Sequence, residues 1–315
     1  MSSVDIQLHT ALARAVAGVP HHELRGRVAA LSHRYRTDQV GDTTPGMRDG
    51  LDALAYAVVR MPATFRALHA ALSTVEHQPT TQVDLGGGTG AAAWAAAALW
   101  PSVTTEIVER QPAALHLGKQ LAAGTFPHDW RWTTGDLRDW TSPTSVDLIT
   151  IGYVLNELTD EARSDLIRAA GRRARTIVVV EPGTPSGHRR TLDARQLLIE
   201  QGFAIAAPCP HQGPCPVDWC HFAVRLPRTE LHRTMKDATR NYEDEKFAYV
   251  VATRGPVQPA AARVLTRPIR RKGQVVLDLC TATGTAERVV VPKSSPSYRT
   301  ARSASWGDES PPIRR

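Results

Sequence analysis

Starting at Gln82, short apolar runs alternate with longer helical segments, and this alternation limits the chain more than any other feature. The apolar runs fall at 82–85, 103–108, 146–151 and 176–181, and Ala-rich or Leu-rich segments occupy 90–100, 112–122, 160–172 and 189–201. Runs of that length read as buried strands and the segments between them as helices. Repeated strand–helix units fold into a mostly parallel sheet with right-handed crossovers. Such α/β sheets open a ligand crevice at the carboxyl ends of their strands. A sixth strand is expected at 203–207 and a seventh at 246–253, with roughly forty residues inserted between them.

The first strand runs through Val83-Asp-Leu-Gly-Gly-Gly-Thr-Gly90 directly into the helical stretch 91–99. Glycines permit a sharp turn and close approach of a ligand, and the helix start offers free N–H groups. Gly86, Gly88 and Ala91 also satisfy the looser dinucleotide pattern. Asp84 ahead of Gly86, Gly88 and Gly90, however, resembles motif I of class I S-adenosylmethionine-dependent methyltransferases, a Rossmann-like fold. Glu109 ends the second strand, where an acid accepts hydrogen bonds from ribose hydroxyls. Gly135-Asp136 resembles the loop whose Asp meets the adenine amine. Tyr153 and Asn156, in the loop after the fourth strand, are placed to face the cofactor's sulfonium or a substrate. The Pro- and Gly-rich stretch 181–188 reads as a non-helical crevice rim.

Residues 1–78 show helical spacing, with Pro20, the 41–46 stretch and Pro62 expected to break them into three or four helices. The methyltransferase-like domain is expected at 79–254 with an insertion at 207–246. A basic extension with a β-hairpin follows at 255–294, and the Ser-, Arg- and Pro-rich 295–315 read as disordered. No run of about eighteen apolar residues occurs, so no membrane span is expected. Charge divides unevenly. Residues 206–315 hold 18 basic against 10 acidic side chains, a net +8, whereas 1–205 hold 20 against 21. That excess points to a polyanionic partner for the last third.

Three of the four cysteines, Cys209, Cys215 and Cys220, crowd into that insertion, and Cys280 follows sixty residues later at the corner of the hairpin. Structural zinc favours two short Cys-x-x-Cys knuckles, which are missing. The wider gaps suit a cubane iron–sulfur cluster better, while His211 and His221 leave a mixed-ligand zinc site open. Arg225, Arg228, Arg233 and Lys236 recur at spacings that fit a charged helical face. With Arg270, Arg271 and Lys272 they form the set expected to meet the polyanionic partner.

Cys-Pro-His-x-x-x-Cys-Pro at 209–216, Trp-Cys-His-Phe at 219–222, Tyr-Glu-Asp-Glu-Lys-Phe-x-Tyr at 242–249 and Leu-Asp-Leu-Cys at 277–280 carry a resemblance. Asp-Leu-Gly-x-Gly-x-Gly at 84–90 and Val-Glu-Pro-Gly-Thr-Pro-x-Gly at 180–187 add to it. The chain resembles the methyltransferase-like ribosomal small-subunit proteins. That resemblance implies a class I methyltransferase fold, bound S-adenosylmethionine, and a 4Fe–4S cluster on Cys209, Cys215, Cys220 and Cys280. It also implies a place on the small ribosomal subunit and its 16S-type rRNA during assembly. No catalytic base stands out. The loop Tyr153-Val-Leu-Asn-Glu157 lacks the Asp/Asn-Pro-Pro-aromatic pattern of amino-group methylation, and a cluster would consume every cysteine nucleophile. Two other readings were a methyltransferase for a small molecule or protein, with a zinc-stabilised insertion, and a dinucleotide-dependent oxidoreductase. With bacterial relatives in view and neither signal nor transit peptide recognised, a bacterial cytoplasmic location was expected.

Overall fold

The computed structural model describes residues 3–36, 47–126, 130–141 and 144–310. Three helices open the chain: α1 (Ser3–Val16), α2 (His21–Arg36) and α3 (Gly50–Leu72). The 41–46 stretch lies outside the described residues. Pro62 does not end a helix. It sits buried inside α3, a 23-residue helix capped at Asp49, whose side chain accepts from the Asp52 N–H. A helix buried along most of its length gains more from packing than it loses at one missing N–H.

Next come β1 (Thr81–Leu85), α4 (Ala91–Leu99), β2 (Thr104–Glu109), α5 (Pro112–Ala122), β3 (Arg131–Thr134) and β4 (Val146–Gly152). A single 3₁₀ turn at Leu155–Glu157 leads to α6 (Asp160–Gly171), β5 (Ala174–Pro182), α7 (Pro185–Glu200) and β6 (Ala204–Ala207). The segment 181–188 is therefore only partly a loop. Thr184 caps the Gly187 N–H and Pro185 takes the first turn of α7, where its lack of an N–H costs nothing.

Among the described residues, one eight-stranded sheet runs β3-β2-β1-β4-β5-β8-β6, with β7 (Phe222–Pro227) also on β8 (Tyr242–Thr253). Strands β1 to β5 pair in parallel and β8 runs antiparallel to β5. The strand order reverses between β1 and β4. This is the class I methyltransferase fold. Continuous apolar runs such as Ile177–Val180 suit β5, which is buried on both faces. One core lies between the sheet and α1 to α5, and a second lies under α6 and α7.

The insertion is not a charged helix. Phe222 and Leu226 alternate inward, so residues 222–227 form β7, and only Glu230–Lys236 is helical, as α8. β8 is twelve residues long. Its end pairs with β6, and its beginning, residues 242–247, pairs with β7. Beyond it, β9 (Ala262–Val264), β10 (Ile269–Arg271), β11 (Gln274–Thr281) and β12 (Ala286–Pro292) build a second sheet. The hairpin β11–β12 is joined there by α9 (Tyr298–Ser303) and β13 (Glu309–Ser310). Residues 295–310, expected to be disordered, are thus held by the buried Ala301 and by β13 pairing with β9. No helix among the described residues is long and apolar enough to cross a membrane.

Candidate functional site

The carboxyl ends of β1, β2 and β4 meet α3 around one cavity. Asp84, Gly86, Gly88, Glu109, Asp136 and Tyr153 all border it. Gly90 and Asn156 do not. Gly90 instead caps α4, with its Cα side against the Trp132 ring. The turn works because Gly86 has φ +70, and a Cβ there would lie 2.6 Å from a Val154 methyl. A Cβ on Gly87 would strike the Asp84 carboxylate at 2.5 Å. Both positions demand glycine.

Hydrogen bonds tie the acids down. Gly88 N–H and Gln111 N–H donate to the two Glu109 oxygens at 3.0 and 2.8 Å. Burial raises the Glu109 carboxyl above its ordinary range. Asp84 ends a buried chain across three strands. Thr105 donates to Gln82, Gln82 to Thr150, and Thr150 to Asp84 at 2.8 Å. Its second oxygen has no partner, and burial, with the nearby Glu109 charge, lifts Asp84 from 3.8 to about 7. Asp136, by contrast, falls to about 2 because Arg138 hydrogen-bonds it.

Tyr153 is a non-glycine residue at φ +59, a conformation that costs about 1–3 kcal/mol. Its N–H donates to Val180 O at 2.8 Å, and its hydroxyl donates to Glu245, which also takes two hydrogen bonds from Arg60. The Tyr-Glu-Asp-Glu-Lys motif thereby reaches the cavity through its third acid, Glu245. Sequence reasoning missed Glu157. It borders the same cavity, and burial, then the Glu109 charge, lifts it from 4.5 to about 7. An acid one turn beyond a strand end was the available signal.

The donor set fits an adenosyl cofactor. A buried acid ends β2, glycines line the turn, and an orphaned carboxylate oxygen lies behind them.

A second cavity collects Cys209, Cys215, Cys220 and Cys280. Three come from the loop between β6 and β7, and the fourth comes from β11. Burial and the neighbouring Cys209 and Cys215 push the Cys280 thiol up to about 12, and Cys220 is raised by burial and by the other three. Thiols that oppose one another's ionisation need a cationic centre to become thiolates together. No group of three His, Cys, Asp or Glu among the described residues closes around a single ion. Four thiols around one cavity supply the donor type that both iron–sulfur clusters and zinc take. His211 Nε2 lies 3.3 Å from the Cys280 sulfur, while His221 stacks on Trp219 instead.

Two arginines, each 4% exposed, line the same cavity. Arg263 lies opposite Cys280 in the β9–β11 register and reaches Glu309 at 3.0 Å. Arg195 donates to the His211 and Gly213 carbonyls and has no carboxylate partner among the described residues. A buried cation left that way calls for negative charge beside it.

The expected RNA-binding residues divide. Arg228 and Lys236 both clasp Glu243, at 3.1 and 2.9 Å, and Arg225 pairs with Asp244 at 2.7 Å. Arg233 donates to Asn241. Arg270 donates only to backbone carbonyls, and Arg271 and Lys272 are exposed. These cations do not share one helical face.

The family model described as "Mitochondrial small ribosomal subunit Rsm22" matches residues 50–311. The chain belongs to the Rsm22 family. Among relatives of this Rsm22-family chain, the human "Ribosome assembly protein METTL17, mitochondrial" is 29% identical over 81% of this chain and 62% of its own length. The fission-yeast "Rsm22-cox11 tandem protein 2, mitochondrial" is 23% identical over 97% of this chain and 51% of that protein. The Rsm22-family chain thus spans between half and two thirds of these relatives. Its structure is also similar to the magnesium protoporphyrin IX methyltransferase of Synechocystis, at 15% identity, 71% and 90% coverage and a TM-score of 0.42. The expected bacterial cytoplasmic location is corrected here, since the family model and both relatives are described as mitochondrial.

Proposed function

We propose that this Rsm22-family chain is a ribosome-assembly protein that binds S-adenosylmethionine and a 4Fe–4S cluster and engages rRNA of the small subunit. The observation that carries the reading is the joining of four cysteines from two distant segments beside the most basic third of the chain. Cys209, Cys215, Cys220 and Cys280 would hold the cluster, which supplies a crosslink between the insertion and the C-terminal sheet. Gly86, Gly88, Glu109 and Asp136 would hold S-adenosylmethionine, whose chemistry is an electrophilic methyl group. Glu109 orients the ribose end, while Tyr153, fixed by Glu245 and Arg60, shapes the wall after β4.

A second reading, an active methyltransferase, draws on Glu157. A carboxylate near neutrality inside the cavity is suited to take the proton released when a nitrogen or oxygen nucleophile is methylated.

The test uses anaerobically purified full-length protein and small-subunit precursor particles. Binding should weaken steeply as salt rises, because phosphate contacts release counterions. Binding that is absent, or indifferent to salt, would defeat the reading. Methyl transfer from labelled cofactor into the particle, lost in Glu157→Gln, would favour the second reading.

A further inference from the structure

Alone among the seven tryptophans of the chain, Trp219 is exposed, at 43%. It is nevertheless held in place. Its ring stacks on His221 with centroids 4.2 Å apart and planes 15° from parallel. Trp306, on the loop after α9, meets His221 edge-on at 5.0 Å and donates its indole N–H to the His221 carbonyl at 3.1 Å. Cys220, between the two stacked residues, borders both the thiol cavity and the groove beside this stack. One turn of chain therefore sends a thiol inward and presents two flat rings outward. An apolar ring held rigidly against solvent has given up burial without the compensation of mobility.

Cations surround it. Lys246 Nζ lies 5.8 Å from the Trp219 centroid and has no carboxylate partner among the described residues. On the same strand face, two and four residues back, stand Asp244 and Tyr242. Tyr242 is 38% exposed, with the Arg225 guanidinium 4.0 Å over its ring. Asp244 is shared by Arg225 and Arg267. Along this strip three cations face one acid. The groove continues to Arg288, which is paired with Asp278.

We infer that the Trp219–His221 stack and the strip running to Tyr242 form a binding site for single-stranded RNA, with Trp219 stacking on an unpaired base. Flat rings interleaved with cations suit bases and phosphates in turn, and every base offers a stacking face. A duplex keeps its bases stacked on one another and offers none. An acidic peptide would use the cations and leave the rings idle. The inference rests on RNA being the partner, and it adds the surface and the single-stranded form.

The experiment measures fluorescence anisotropy of an unstructured twelve-nucleotide RNA and of the matching duplex with anaerobic, metal-loaded full-length protein. Trp219→Ala should weaken single-strand binding about tenfold or more, with an unchanged salt slope and unchanged duplex binding. Trp219→Phe should restore most of the affinity, which separates stacking from a folding defect. Lys246→Met should instead flatten the salt slope by about one phosphate contact. Equal binding by wild type and Trp219→Ala overturns the inference, as does a parallel loss on duplex. Displacement of the RNA by polyglutamate at matched charge also overturns it, in favour of an acidic protein partner. Wild-type protein that binds no RNA overturns the proposed function itself. RNA binding that ignores Trp219 overturns only this site.

Discussion

Replacing Asp84 by Asn separates charge from shape at the base of the cofactor cavity. The side chain is 1% exposed, accepts one hydrogen bond from Thr150 and leaves its other oxygen without a partner. Its folded value of about 7 stands above the ordinary 3.8. The native state therefore binds the proton more tightly than the unfolded chain. Stability from this group is fully present below about pH 3.8 and falls as pH rises through about 7. Roughly three pH units at about 1.4 kcal/mol each amount to about 4 kcal/mol across that window. Asn carries no charge at any pH. Its amide N–H would sit where the orphaned oxygen is, at a pH-independent cost of about 1–3 kcal/mol. Asp84→Asn should thus be less stable than the ligand-free wild type near pH 4 and level or more stable near pH 8. The assay is the urea midpoint of both proteins at matched pH values, with constant slope as a control. Parallel curves from pH 4 to 8 would show that Asp84 is not a buried, destabilised acid.

Gly86→Ala forces a methyl against Val154 at a left-handed position, and the strain should cut calorimetric affinity for S-adenosylmethionine at least tenfold. Unchanged affinity would remove the glycine turn from the cofactor site. Cys220→Ser should lose most iron and the broad absorbance near 400 nm of anaerobically prepared protein, and a chelator should bleach the wild type to match. Full iron retention, or stoichiometric zinc in colourless protein, would sink the cluster. Arg60→Met leaves Glu245 buried with Tyr153 as its remaining hydrogen-bond partner among the described residues and should cost about 3 kcal/mol of stability in denaturant unfolding. Pairing it with Glu245→Gln should recover part of that loss; simple additivity would mean the two do not interact.

Local pattern made the parallel sheet, the glycine turn at 86–90 and the β11–β12 hairpin readable, because each is written in contiguous residues. Errors gathered where a distant partner decides. Pro62 reads as a breaker until the packing that buries α3 is known. Residues 222–227 carry a period-two pattern in Phe222 and Leu226, but the basic residues around them spelled a helical face. Their partners, Glu243 and Asp244, lie on β8. The tail 295–310 looked like low-complexity sequence because its anchors, among them Ala301, Trp306 and a two-residue strand, are scattered and meet partners far away in the chain. Arg195 could not be found from sequence at all. It sits on α7, and nothing near it in the chain announces a thiol cavity.

Cys280 reaches that cavity from β11, whereas its three companions lie on one loop sixty residues earlier. A chain emerging at about 5–20 residues per second would hold Cys209, Cys215 and Cys220 for roughly 3–12 s before the fourth sulfur exists. The four thiols can meet only after the eight-stranded sheet has been made in full. The four-thiol cavity is therefore a timestamp on synthesis, borne only by chains long enough to include the second sheet.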